Sequence, residues 1–231
     1  MAIRPYFVCD NKKIFVEKQC EFKFYPGFAV SQKIKSIESF HNEIKQILPN
    51  ANILEVSTKS PNPIGYRLSA FNLKYTFNNG NSYCLENVFQ SSKVFENNKK
   101  FNDLLFCTAK EAKTDVRIKN SGKLTCFMLN GIKWELEPKT AFYDYTYITA
   151  LMNDAKLCDE LLNYNVFTDI EFNPKRSFNC QARSVAIFVS LSKQNKLNEY
   201  LKDKESFVKL YEHSETIEQM TLALFQDKKG E

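Results

Sequence analysis

Glu86, Gln90 and Lys93 fall within LENVFQSSKVF, residues 85 to 95. Their spacing of four and then three brings side chains onto one strip of a helix. An acid, an amide and an amine on one strip can move a proton, orient a polar group and attack an electrophilic carbon. Read as a helix over 85–95, the segment sets Leu85, Val88, Phe89 and Phe95 on one arc, with the three polar residues about a quarter turn away. Glu86 and Lys93 are then separated by roughly 10 Å of helix axis. Long side chains lean toward the helix N-terminus, so Lys93 points back toward Glu86. Pattern alone leaves two readings open, because amphipathic helices also carry Glu, Gln and Lys on their solvated side.

Other chemistries are poorly supplied. The two histidines, His41 and His213, sit on amphipathic stretches away from any Ser or Cys elbow and read as surface or helix-end residues, which disfavours a Ser-His or Cys-His hydrolase. Neither G-x-x-x-x-G-K-[ST] nor G-x-G-x-x-G occurs, and there are only six glycines. Cysteines stand at 9, 20, 84, 107, 126, 158 and 180, an odd and scattered set without a C-x-x-C pair. They read as reduced and mostly buried, with neither a disulfide framework nor a zinc site. No metal and no cofactor are expected. The remaining groups are Glu86, Lys93, Asp144, Asp169, Asn179 and the tyrosines from 143 to 147. Such groups labilise a glycosidic or imine carbon without a metal.

The elements that must position them read as α+β, helix-dominated, with small antiparallel hairpins. Two β-prone runs in KIFVEKQCEFKFYPG close at Pro26 and Gly27. SQKIKSIESFHNEIKQILPN follows as a helix with Ser31 as its N-cap and Pro49 as its stop. ANILEVSTKS is a short strand. Alternation around Asn79-Gly80 predicts a hairpin running directly into the 85–95 helix, and Asn130-Gly131 predicts another. From Pro138 onward the pattern is helical, in PKTAFYDYTYITALM, KLCDELLNY, NCQARSVAIFVSLSKQNKLNEYLK and a last helix over 204–225; FTDIEFNPKRSF reads as irregular. One domain over 1–231 is expected, since 43% hydrophobic residues, 20 Phe and 11 Tyr can fill one core. No apolar run has the ~18 residues of a membrane span, and the N-terminus lacks the order of a signal peptide, so a cytosolic location is expected. Net charge is +5; residues 202–231 carry five basic and seven acidic residues, which leaves +7 on residues 1–201. That balance permits a phosphate-bearing partner. Residues 110–123 hold five Lys or Arg against two acids and read as a solvated face or a phosphate-tracking edge.

LSAFNLKYTFNNGNSYCLENVFQSSKVF resembles the motif of the NADAR family, the YbiA-like fold: L-S-N-F, a hairpin with a Gly turn, then E-x-x-F-Q-x-x-K-F. Leu68, Ser69 and Phe71 match the first part, Gly80 the turn, and Glu86, Phe89, Gln90 and Lys93 the last. FYPGFAVSQKIKSIESFH, STKSPNPIGYRLSAFNL, SGKL, EPKTAFYDYTYITAL and FTDIEFNPKRSFNCQARSVAIFVSL resemble the branch of DarT-associated antitoxins, from about Ile3 to Tyr200. The resemblance implies a glycohydrolase that removes ADP-ribose from guanine in DNA, probed most readily as a single strand, releasing ADP-ribose. It also implies a cognate DarT-type toxin as partner and no membrane. Under it Lys93 is the amine that captures C1 of the ribose, or a diphosphate contact. Glu86 is the general acid or base, or an ion pair ordering Lys93. Asp169 is a second carboxylate able to activate water. Ser69, Phe71, Gln90, Asp144, Tyr145, Asn179 and Arg183 become substrate contacts, with Tyr145 of FYDYTY standing where relatives have Trp. Two other functions stay open: N-glycosidase action on a small ribosylamino metabolite, and non-catalytic binding of modified DNA or toxin.

Overall fold

KIFVEKQCEFKFYPG, read as two β-prone runs, holds one strand, and its partner is the stretch at residues 2–8 that precedes it. In the computed structural model, which describes residues 1–211, strand β1 (Ala2–Val8) lies antiparallel to β2 (Val16–Phe22), with Ala2 opposite Phe22 and Val8 opposite Val16. The sheet has the order β2-β1-β9-β3, where β3 is Ile53–Glu55 and β9 is Val166–Thr168. Strand β9 is antiparallel to β1 and parallel to β3, so the fold holds a mixed sheet besides the expected hairpins. The segment read as irregular therefore begins in a buried strand, whose three residues are too few to show a period.

Successive residues of these strands face opposite ways, and two clusters result. Tyr6, Phe22 and Val166 meet Ile37, Phe40 and Ile44 of helix α1 (Val30–Ile47) on one face. Phe7, Leu54 and Phe167 belong to the larger cluster with Val185, Ile187 and Val189 of helix α8 (Gln181–Lys193) on the other. Helix α1 starts one residue before Ser31, with Ala29 in the N-cap position and no side-chain cap. His41 of α1 is not a surface residue: its Nε2 lies 2.8 Å from the Thr168 hydroxyl.

Helix α2 (Pro63–Arg67) is capped by Asn62, and the chain then enters hairpin β4 (Lys74–Thr76) and β5 (Ser82–Cys84), turning at Gly80 with φ +83°. Helix α3 (Leu85–Ser91) follows with no intervening residue. Strands β6 (Lys93–Phe95), β7 (Leu124–Leu129) and β8 (Ile132–Trp134) form a second antiparallel sheet, and Asn130 and Gly131 both take the positive φ of a type I′ turn. Between β6 and β7 lie the short helices α4 (Ala109–Thr114) and α5 (Val116–Lys119) of the basic run. Helix α6 (Ala141–Leu151) is buried almost all round and packs on α8, with α7 (Ala155–Leu161) after it. The long helical run after α8 breaks because Asn195 adopts φ +57°; Lys196 N–H donates to Leu191 O and Asn195 N–H to Ser192 O, a Schellman closure, before α9 (Leu197–Leu201). The last expected helix is present over 204–211; its expected remainder and His213 lie outside the described residues. Among the described residues no helix is long and apolar enough to cross a membrane.

Candidate active site

The predicted helix over 85–95 stops early. Ser91 and Ser92 both turn their hydroxyls onto the Val88 carbonyl, at 3.1 and 2.7 Å, which competes with continuation of the helix. Val94 and Phe95 then favour a strand, and Lys93 pairs with Phe127 at the start of β6. Lys93 thus leaves the helix, yet the polar strip stays connected. Lys93 Nζ donates to Gln90 Oε1 at 2.7 Å, and Gln90 Nε2 donates to Glu86 Oε1 at 2.8 Å. The Gln90 amide bridges acid and amine, which form no ion pair of their own among the described residues. The strip is no solvated face, since Glu86 is 6% and Gln90 7% exposed.

The N-terminal turn of α3 is anchored to the Ser69–Phe71 loop. Glu86 N–H and the Cys84 thiol both donate to Ala70 O, and Leu85 N–H donates to Leu73 O. Ser69 is buried, and its hydroxyl accepts from Phe71 N–H at 3.3 Å. Lys93 Nζ also sits 5.1 Å from the Phe89 ring centroid. Burial pushes the Lys93 amine below its ordinary pKa, with the Glu86 carboxylate opposing. This is the direction a nucleophilic amine requires.

Asp169 stands across the same cleft, 5% exposed. Its Oδ1 accepts from the N–H groups of Glu171 and Phe172 at 3.0 and 3.1 Å, and its Oδ2 from Gln181 Nε2 at 3.1 Å. Gln181, the first residue of α8, accepts from Ala70 N–H through its other amide atom. One side chain therefore ties the second carboxylate to the loop that seats α3. Burial, and then the charge of Glu55, raise Asp169 to about 7. Glu55 is itself fully enclosed: it accepts from Ser57 Oγ at 2.7 Å, Ile170 N–H at 2.8 Å and Thr168 Oγ1 at 2.7 Å, and burial raises its pKa. Burial lowers His41 to about 4, so a neutral ring meets Thr168. Gly65 is required beside this network, because a Cβ there would overlap the Glu55 carbonyl oxygen and the Ser60 hydroxyl.

Of the predicted site residues, Glu86, Lys93, Asp169, Ser69, Phe71, Gln90 and Asn179 line one cleft of about 940 Å³. Asn179 does so from two residues before α8. Asp144, Tyr145 and Arg183 do not line it. Asp144 is wholly buried and accepts from Arg183 Nη2 at 3.0 Å, Tyr211 OH at 2.7 Å and Ser184 Oγ. It locks α6, α8 and the 204–211 helix together. Tyr145 packs between Trp134 and Phe207, at centroid distances of 4.7 and 5.3 Å. The α6 aromatic that reaches the cleft is Tyr143, edge-on to Phe89 at 5.2 Å. Burial, and then the charge of Glu86, hold its phenol well above the ordinary value, so it stays a donor. Tyr143 is one of the tyrosines from 143 to 147 that the sequence offers, though not one of the substrate contacts the resemblance implies; Gln181 is a cleft residue that no local signal marks. Among the described residues no three His, Cys, Asp or Glu side chains gather as a metal site.

This geometry lies within a recognised family. Residues 2–221 match the DarT1-associated NADAR antitoxin family. The chain belongs to that family. No curated protein matches the chain significantly. Every cleft residue named above falls inside the span shared with the DarT1-associated NADAR antitoxins.

Proposed function

We propose that the cleft removes ADP-ribose from guanine bases in DNA, and that the chain acts in this way as antitoxin to a DarT-type ADP-ribosyltransferase. The observation that carries this reading is the buried Glu86–Gln90–Lys93 chain of hydrogen bonds on the cleft wall. It holds an amine of lowered pKa within one amide of a carboxylate.

In the chemistry we assign to it, the electron pair of the guanine nitrogen forms a C=N bond to C1 as the C1–O bond of the ribose ring breaks and Glu86 protonates the ring oxygen, giving an iminium at C1. The free electron pair of Lys93 Nζ bonds to C1, Nζ returns a proton to the Glu86 carboxylate, and the bond from C1 to the guanine nitrogen breaks as Glu86 delivers that proton to the nitrogen, leaving a lysine imine. Water then adds to the imine and gives its proton to a carboxylate, the C1–Nζ bond breaks as Nζ takes that proton, and the ring hydroxyl closes on the resulting aldehyde. The products are unmodified guanine, ADP-ribose and the free amine. Asp169, held near neutrality, is the second group able to take or return that proton. Phe89 and Tyr143 make the cleft wall beside them apolar.

Turnover of a guanine-modified oligonucleotide tests the reading. Wild type releases ADP-ribose, Glu86→Gln loses at least about a hundredfold in rate, and the same oligonucleotide modified on thymine is a poor substrate. No release from the guanine-modified strand, together with turnover of a free ribosylamine, would transfer the assignment to small-metabolite glycosidase action.

A further inference from the structure

Three lysines at the mouth of the cleft each lie over a phenylalanine ring. Lys33 of α1 is 5.6 Å from the centroid of Phe24, Lys113 of α4 is 4.9 Å from that of Phe71, and Lys139 is 5.0 Å from that of Phe178. All six residues line the same cleft although they come from five separate stretches of the chain. None of the three lysines forms an ion pair among the described residues. Phe178 is 67% exposed, so its ring is accessible from solvent.

A ring face beside a mobile ammonium is what a nucleotide needs. The base stacks on the ring, and the displaced ammonium follows the phosphate. An ADP-ribosyl group brings one purine of its own and is attached to a second. Three rings lining one cleft, each beside a lysine, exceed what those two purines can cover. The surplus matches neighbouring nucleotides of a strand. A duplex keeps its bases stacked on one another and cannot offer them to separate rings.

We propose that the Lys33–Phe24, Lys113–Phe71 and Lys139–Phe178 pairs are the grip for a single nucleic-acid strand, holding the nucleotides on either side of the modified one. The proposal rests on the reading of the cleft as a nucleic-acid site, and its test does not depend on turnover. Affinity of a fluorescein-labelled, unmodified single-stranded oligonucleotide is measured by anisotropy between about 50 and 200 mM salt, for wild type, for a variant with Lys33, Lys113 and Lys139 all changed to Gln, and for Phe178→Ala. The triple variant should bind at least about tenfold more weakly, and its logarithmic salt slope should fall by about 2, from roughly 0.7 for each of three phosphates. Phe178→Ala should weaken binding severalfold with the salt slope kept, because it removes stacking and no charge. Equal affinity and slope in all three proteins would overturn the grip, and so would a duplex of the same sequence binding as tightly as the single strand. Strand binding lost in the triple variant, in a protein that releases no ADP-ribose from any oligonucleotide, would uphold the grip and sink the proposed reaction.

Discussion

Glu55→Gln tests the electrostatics that set Asp169. Glu55 is enclosed and accepts three hydrogen bonds, from Ser57, Thr168 and Ile170. A glutamine can keep three contacts: its oxygen accepts from Ser57 and Ile170 and one amide N–H donates to Thr168 Oγ1, while its second N–H has no acceptor, at a cost of about 1–3 kcal/mol. The Thr168 hydroxyl then turns to donate to His41 Nε2, which is free to accept because the ring is held neutral. The change therefore removes a buried charge at the cost of one unpaired amide N–H, a cost that does not vary with pH. Asp169 has a folded pKa raised to about 7 from an ordinary 3.8. A raised folded pKa means stability that is full below the unfolded value and lost as pH rises through the folded one. The shift corresponds to a penalty on the order of 4 kcal/mol once Asp169 ionises. Burial is the larger cause and the Glu55 charge the second, so removing Glu55 should recover about 1–2 kcal/mol of it. Glu55 carries a penalty of the same sign, which the glutamine abolishes. In urea denaturation at pH values from about 5 to 9, the stability of Glu55→Gln relative to wild type should rise by about 1–2 kcal/mol or more as pH increases from 5 through 7. The acidic limb set by Asp169 in any pH–rate profile should move to lower pH. A variant less stable than wild type by several kcal/mol near pH 8, or an unshifted profile, would refute this account of Asp169.

Three further outcomes follow from the same geometry. Lys93→Arg keeps a cation beside Gln90 but cannot form a comparable imine, so turnover should fall by at least about a thousandfold. Borohydride added to wild type during turnover should leave an ADP-ribose adduct on the peptide containing Lys93; near wild-type turnover in the variant with no adduct would reduce Lys93 to an electrostatic contact. Gly65→Ala should cost about 3 kcal/mol or more in urea titration, because the added methyl meets the fixed Glu55 backbone. A loss under about 0.5 kcal/mol would show that α2 can shift. Hydrolysis should persist in EDTA, given the scattered cysteines and histidines, and complete loss restored by zinc or magnesium would overturn the metal-free scheme.

Local patterns in the sequence carried much of this structure. Asn79-Gly80 and Asn130-Gly131 mark hairpins, with Gly80, Asn130 and Gly131 at positive φ, and α1, α6, α7 and α8 follow helical periodicity. Long-range pairing was not legible. The three residues of β9 become a strand only between β1 and β3, both of which lie far back in the first quarter of the chain. The spacing places Glu86, Gln90 and Lys93 together, and hydrogen bonds join them, but the helix ends at Ser91 because two serine hydroxyls capture Val88 O, a competition that spacing alone does not reveal. Asp144 shows the same limit from the other side. An acid inside FYDYTY looks available for a ligand until Arg183, Ser184 and Tyr211, between 39 and 67 residues away, take up its oxygens.

The central claim is that the Glu86–Gln90–Lys93 chain cleaves the bond between ADP-ribose and guanine. A modified guanine carries two glycosidic bonds, one to the ADP-ribose and one to the deoxyribose of the strand, and the intact mass of the product separates them. A single-stranded oligonucleotide bearing one ADP-ribosylated guanine, incubated with the purified protein, should lose the mass of one ADP-ribosyl group and return to the unmodified strand, while the same strand with Lys93→Arg stays at its starting mass. A strand left unchanged by wild type, or one that has lost the modified guanine and become abasic, would contradict the claim.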